Sequence, residues 1–276
     1  MSPTTLIIET IDQIARITLN RPERVNALSQ LMLDEIARAL DDAERDPTIR
    51  AVIVRGAGPA FSSGFDLKEQ MDRRPSGVDD WRPILRKNFA TTMRFWHFPR
   101  PTIAAVRGAC LAGAFELALA CDLTIAADDA FFGEPELKFG AGIVTMILPW
   151  IVGPKIAKEI ILTGADRISA VRARELGIVN NVVSAAQLDD AALSLAKHIA
   201  AIDPALIKET KRAINRAYEA QNMLPALEEA LAIDLNIEGA GSPDKVKFME
   251  TARREGLRAA IAWRDRRFDD INPRTS

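Results

Sequence analysis

The spacing of apolar and polar positions along the chain predicts its elements. TTLIIETI (residues 4–11) and IARITL (14–19) read as two strands joined by a tight turn at Asp12-Gln13. After Arg21-Pro22, the apolar residues Leu28, Met32, Ile36 and Leu40 fall at helical spacing, and Pro47 closes that helix. AVIVR (51–55) reads as a short buried strand, with GAGPAFSSGFDLKEQ as its loop and the next helix start. The charged segment MDRRPSGVDDWRP (71–83) precedes a helix expected near 84–97. Strand, glycine turn and helix recur at 51–55, 103–107 and 123–127, which predicts parallel strands with crossover helices. From about residue 154 the chain turns helical, and Asp203-Pro204 marks a boundary. Residues 204–238 and 245–268 read as helices, broken at Gly239-Ala240-Gly241-Ser242-Pro243. The fold class expected is α/β.

Three stretches carry candidate chemistry. IAAVRGACLAGAFELALACD (103–122) begins as a buried strand, breaks at Gly108 and re-forms at Gly113 as an apolar helix. A helix start at Gly113 leaves a backbone N–H free to point at a ligand. Glu116 follows one turn later among alanines, leucines and Phe115, where burial would raise its pKa. Favourable placement of an acid at a helix start accounts for Glu116 equally well at this point. In FSSGFDL (61–67) the Phe65 N–H lies at a turn into a helix, and Asp66 is placed to accept local N–H bonds. Alone, this is an ordinary strand-to-helix turn. Two such N–H groups converging on one oxygen would form an oxyanion hole. In FFGEPE (131–136) Glu136 follows a proline at a strand end, and Glu134 competes with it for any acid–base role.

Composition narrows the classes. The 276 residues are 48% hydrophobic and 27% charged, with a net charge of −2, which fits a globular protein with a sizeable core. That balance offers no case for nucleic acid. Cys110 and Cys121 sit in an apolar segment and read as core thiols of a reduced compartment. His97 and His198 are far apart with no acidic cluster, so no metal site is expected. The opening residues carry no signal-peptide pattern and no run is long enough to span a bilayer, so a cytoplasmic protein is expected.

Taken in order, these motifs resemble the crotonase superfamily, the enoyl-CoA hydratase and isomerase family. The likeness runs from Arg21-Pro22 with Asn26-Ala27-Leu28, through the Ser-Gly-x-Asp-Leu turn and the block at 104–122, to FGEPE at 132–136. It continues in Leu162-Thr163-Gly164, Ile168-Ser169-Ala170, ARELGIV (173–179) and Arg253-Arg254-Glu255-Gly256. The resemblance implies a spiral of strand–strand–helix turns over 1–203 holding a CoA-thioester site. Over 204–276 it implies a helical region building a homotrimer or dimer of trimers. It places the oxyanion donors on the N–H groups of Phe65 and Gly113, and the two catalytic glutamates on Glu116 and Glu136. It implies syn addition of water across a trans-2-enoyl-CoA, without a separate cofactor, since coenzyme A belongs to the substrate. It assigns the adenine and pantetheine strip to Arg24, Val25, Ala27 and Ser63, with Asp66, Leu67 and Lys68 beside it. Phe248 falls where the family has an aromatic near the CoA of a neighbouring subunit, and Arg264, Arg266 and Arg267 are candidates for phosphate, which a solvated helix face explains equally well.

The chain departs from the family pattern in the segment 138–146, where bulky apolar residues replace later glycines, and at Ala112 and Ala114 around Gly113. Trp81, Phe95 and Trp96 fall in the acyl-binding stretch and read more readily as core. The rival functions are isomerisation, carnitinyl-type dehydration or thioester hydrolysis within the same family. A rival of another class is a non-catalytic acyl-CoA-binding or RNA-associated member. The glutamate pair argues for hydration over the first group, and balanced charge against RNA.

Overall fold

The computed structural model describes residues 4–269. β1 (Leu6–Ile11) and β2 (Ile14–Leu19) form the expected antiparallel hairpin, with Asp12 at φ 55° in its turn. α1 (Gln30–Arg45) starts one turn later than its apolar spacing suggests. Ser29 caps it by accepting from the Met32 N–H at 3.2 Å, while Leu28 lies outside it, bridged to Phe65. β3 (Ala51–Gly56) leads through the loop to α2 (Leu67–Arg73) and α3 (Gly77–His97). α3 contains Pro83 in its second turn, although the proline suggested a later start. The carbonyl that Pro83 leaves unpaired belongs to Asp79, whose side chain lies in solvent, and buried Trp81 and Leu85 anchor the turn around it.

β4 (Thr102–Val106), β5 (Ala109–Leu111), α4 (Gly113–Ala120), β6 (Leu123–Ala127) and β7 (Phe131–Gly133) follow as two strand–strand units around one helix. α5 (Leu148–Val152), α6 (Pro154–Thr163), β8 (Ile168–Ser169), α7 (Ala170–Glu175), β9 (Asn181–Val183) and α8 (Leu188–Ala200) complete this part. The main sheet has the order β1-β2-β3-β4-β6-β9 and is parallel from β2 onward. A second row runs beside it: Leu28 bridges Phe65, Ser62 bridges Cys110, and β5 pairs with β7, which pairs with β8. Each turn of the chain therefore adds one segment to the main sheet and one to the second row. That is the spiral expected from the resemblance.

The buried strands explain why both sheet faces are covered. Val52, Val54, Ala104, Val106 and Ala126 face one core with α1, α3 and α4. Their neighbours Ala51, Ile53, Ile103, Ala105 and Ile125 face α8 through Leu188, Ala192 and Ala196. Apolar residues on both faces are what a parallel sheet between helices requires.

The C-terminal region has four helices where the sequence suggests two. α9 (Pro204–Glu219) and α10 (Met223–Ala240) are separated at Asn222, whose φ is 73°, a conformation asparagine tolerates better than most residues. α11 (Pro243–Glu255) and α12 (Leu257–Asp269) are separated at Gly256, with φ 92°. The loop at 203 is not a boundary in the packing. Met223, Leu227, Leu231 and Leu235 of α10 belong to the same core as α1, α3 and α4. α9 is tied to the sheet by Lys211, whose Nζ donates to Asp122 Oδ2 at 2.7 Å, and the same oxygen accepts from the N–H and hydroxyl of Thr102.

Replacing Asp122 with alanine strands these donors. Asp122→Ala is expected to lower stability by about 2 kcal/mol, measured as a shift of the urea midpoint with unchanged slope. No shift would show that Lys211 and Thr102 find other acceptors.

Candidate active site

The site is built where two turns meet. Gly64 has φ 92°, and a Cβ there would lie 2.6 Å from the Ala112 Cβ and 2.9 Å from the Leu111 carbonyl oxygen. A Cβ on Gly113 would fall 2.2 Å from Cε2 of Phe65. Gly64 thus lets its turn lie against the chain at 111–113, and Gly113 leaves room for the Phe65 ring, uses of glycine that a residue with a Cβ does not reproduce. Ala112 precedes the helix at φ 56°, ψ −138°, a strained conformation for a residue with a Cβ. It turns the peptide so that Gly113 opens α4. Among the described residues neither the Phe65 nor the Gly113 N–H donates a hydrogen bond. The two groups that the sequence singles out are therefore adjacent and unpartnered.

Three carboxyls lie close by. Glu116 on α4, Glu134 after β7 and Glu136 at the start of a 3-10 turn (Glu136–Phe139) are all buried, and each keeps one carboxyl oxygen without a hydrogen-bond partner. The other oxygen of Glu116 accepts from the Thr145 N–H at 2.9 Å. Burial raises Glu116 far above the ordinary carboxyl range, and the charge of Glu136 raises it further. Glu134 is likewise pushed well up, by burial first and then by the charges of Glu136 and Glu116. Glu136 rises to about 8 through burial, offset by hydrogen bonds from its own backbone and from the Glu134 side chain. The backbone bond favours charged Glu136, and a protonated Glu134 donating to it adds to this, since the shared bond favours the charged form of one and the neutral form of the other. The three acids titrate as one unit, and Glu136 gives up its proton first.

Outside this centre, Arg24 and Lys68 line an open cleft of about 540 Å³ together with Arg74 and Arg253. Lys68 is paired with Asp72 at 2.8 Å, whereas Arg24, Arg74 and Arg253 have no ion pair among the described residues. Val25 is exposed, Ala27 is buried, and the Val25 carbonyl accepts from the N–H of exposed Ser63 at 3.0 Å, so this strip is one surface. Leu67 packs half-buried on the cluster containing Met71 and Phe139.

Three groups of expected contacts also have partners within the chain. Asp66 caps α2 through the N–H groups of Lys68 and Glu69, and its second oxygen accepts from Arg21 at 2.8 Å. Phe248 is 1% exposed with its ring 5.1 Å from that of Phe139, a packing position within its own chain. Arg264 pairs with Asp265 and Asp166, and Arg267 with Asp244. Trp81 and Phe95 are core residues. The Thr145 N–H and the Glu134–Glu136 bond escape sequence reasoning, because only the fold brings 145 against 116 and turns 134 toward 136. The carboxyl of Glu134, as a chemical candidate, is visible beforehand.

The family model for enoyl-CoA hydratase/isomerase matches residues 9–251. A crystal structure of an enoyl-CoA hydratase/isomerase from Xanthobacter autotrophicus Py2 is 71% identical, covering 97% of this chain and 99% of that one, with a TM-score of 0.96. A crystal structure of an enoyl-CoA hydratase from Mycobacterium smegmatis is 28% identical over 96% of this chain and 94% of its own, with a TM-score of 0.87. YngF of Bacillus subtilis, provisionally named an enoyl-CoA hydratase/isomerase, is 38% identical over 90% of this chain and 91% of its own length.

The contact between the turns leaves no room for a methyl group. Gly64→Ala is expected to cost about 1–3 kcal/mol from the left-handed backbone alone, with the Ala112 clash added. Chemical denaturation reads this directly, and an unchanged midpoint would mean that the turns can separate freely.

Proposed function

This chain belongs to the enoyl-CoA hydratase/isomerase family, and we propose that within it the protein is a hydratase adding water syn across a trans-2-enoyl-CoA. The observation that carries this reading is the buried set of glutamates beside two unpartnered backbone N–H groups. Hydration needs one group to take a proton and another to give one. Burial raises both carboxyls, so they can hold protons that ordinary carboxyls would have lost.

In the hydration direction, Glu116 takes a proton from water as its oxygen bonds to the β-carbon. The π electrons move through the α-carbon onto the thioester oxygen, forming an enolate. The N–H groups of Phe65 and Gly113 hold that oxygen; removing one such donor typically costs about 3–4 kcal/mol of barrier. Glu136 then delivers its proton to the α-carbon, leaving Glu116 protonated and Glu136 ionised. That final state is the starting state for the reverse reaction, loss of water. Glu134 touches neither carbon; it positions Glu136 and stabilises its charge. The cleft of Arg24, Arg74 and Arg253 supports this reading as a place for the CoA phosphates, because unpaired guanidinium groups match phosphate oxygens.

The decisive assay follows the absorbance of crotonyl-CoA with wild type, Glu116→Gln and Glu136→Gln. Rapid loss of conjugation in wild type and a fall of at least about 100-fold in each variant are expected. Gain of conjugation from a 3-enoyl-CoA, retained by Glu116→Gln, would instead make the protein an isomerase. The pH profile tests the proton inventory. The active form carries one proton on the Glu116–Glu136 pair, so kcat/KM should rise with pH and level off near the about 8 of Glu136. Glu134→Leu removes the donor that favours charged Glu136, so this limb should move to higher pH. A limb that stays in place would show that Glu134 does not act on Glu136.

A further inference from the structure

One buried acid takes no part in the scheme above. Asp234 on α10 is 2% exposed, and neither of its carboxyl oxygens has a hydrogen-bond partner. Its Oδ1 lies only 1.9 Å from where a Cβ on Gly142 would stand. It therefore presses on bare backbone in the segment that links Glu136 to Thr145, the residue holding Glu116. Its charge reaches both of those glutamates and disfavours their ionisation.

The groups that might satisfy Asp234 are committed elsewhere. Lys245 pairs with Glu238, one turn further along α10, and sits 4.3 Å above the Trp81 ring. The Gly142 N–H donates to Glu238 at 3.3 Å. An unpaired carboxyl in an apolar interior is destabilising, and the nearby replacements for family glycines, Ile143 and Val144, are apolar and buried.

We propose that Asp234 is a specificity residue that accepts a hydrogen bond from a hydroxyl group on the acyl tail of the bound thioester. This rests on the reading that the site takes acyl-CoA thioesters. A neutral hydroxyl fits better than an ammonium group, since the charge of Lys245 already acts on Asp234 and would repel a second cation. The protein would thus discriminate in favour of hydroxylated acyl groups by leaving an acceptor unpaired when the hydroxyl is missing, a mechanism stronger than discrimination by size.

The test uses saturated thioesters, which bind without reacting, in matched pairs. Calorimetry would compare hexanoyl-CoA with 6-hydroxyhexanoyl-CoA, and 3-phenylpropanoyl-CoA with 3-(4-hydroxyphenyl)propanoyl-CoA. In wild type, the hydroxylated member of at least one pair should bind about tenfold tighter, the worth of one hydrogen bond to a charged acceptor. In Asp234→Leu that preference should vanish or reverse, with a melting temperature no lower than wild type because an unpaired acid has been removed. Asp234→Asn, which keeps an acceptor oxygen, should retain part of it. Equal affinities in both pairs, or a preference that survives Asp234→Leu, overturns the assignment. A lowered melting temperature with unchanged preference would make Asp234 structural and overturn it too. Binding that discriminates without any turnover of enoyl thioesters would remove the hydratase reading and leave this one standing, whereas no binding of any CoA thioester removes both.

Discussion

The site depends on two turns approaching each other closer than side chains would allow. Gly64 and Gly113 have no Cβ, so the turn after β3 and the turn after β5 stack directly, and their neighbours inherit that geometry. Phe65 lies over Gly113, Ala112 is forced to positive φ, and α4 begins where its first N–H is free. From that start Glu116 falls in the first turn of a helix whose residues are all buried. Several supports converge on the same contact: Leu28 bridges Phe65, Ser62 bridges Cys110, and Asp66 with Arg21 braces the following helix. A strained backbone persists only where its surroundings hold it in this way.

Burial is the second constraint, and it acts on charge. Glu116, Glu134 and Glu136 share a region where charged forms are disfavoured; the charge of Glu136 raises the other two, and that of Glu116 raises Glu134. Hydrogen bonding from its own backbone, and then from the Glu134 side chain, favours the charged form of Glu136 and breaks the equivalence. The same physics makes such a centre expensive for the fold, since buried carboxyls favour the unfolded state as pH rises toward their raised pKa values. The extensive apolar core around α1, α3, α4 and α10 offsets this. α10 contributes on both counts, giving Leu227, Leu231 and Leu235 to that core and Asp234 to the acids.

The chain's own pattern was enough for the hairpin, the parallel strands 51–56, 102–106 and 123–127, and the helix after Gly113. These elements follow from local rules: short apolar runs for buried strands, glycine at turns, and helical spacing of apolar residues. The same order of motifs was enough for the family and for the pairing of Phe65 with Gly113 and of Glu116 with Glu136 as candidates. Local rules were less informative where tertiary packing overrode them. Pro83 sits inside α3 because Trp81 and Leu85 anchor that turn, and Asn222 divides a stretch whose periodicity reads as one helix.

Contacts between distant segments were decided by the tertiary structure alone. The local N–H bonds of Asp66 were legible beforehand, but its pairing with Arg21 and the packing of Phe248 on Phe139 were not. Asp234 reads as one acid on a helix with many, and nothing in its neighbours along the chain marks it. Its importance comes from Gly142, Glu116 and Glu136, which the spiral brings to it from far away in sequence. A sequence sets which groups are present and their local conformation, because those depend on covalent neighbours. Which carboxyl is desolvated, which is paired and which is left unsatisfied depends on packing across the whole chain, and is settled only when the chain has folded.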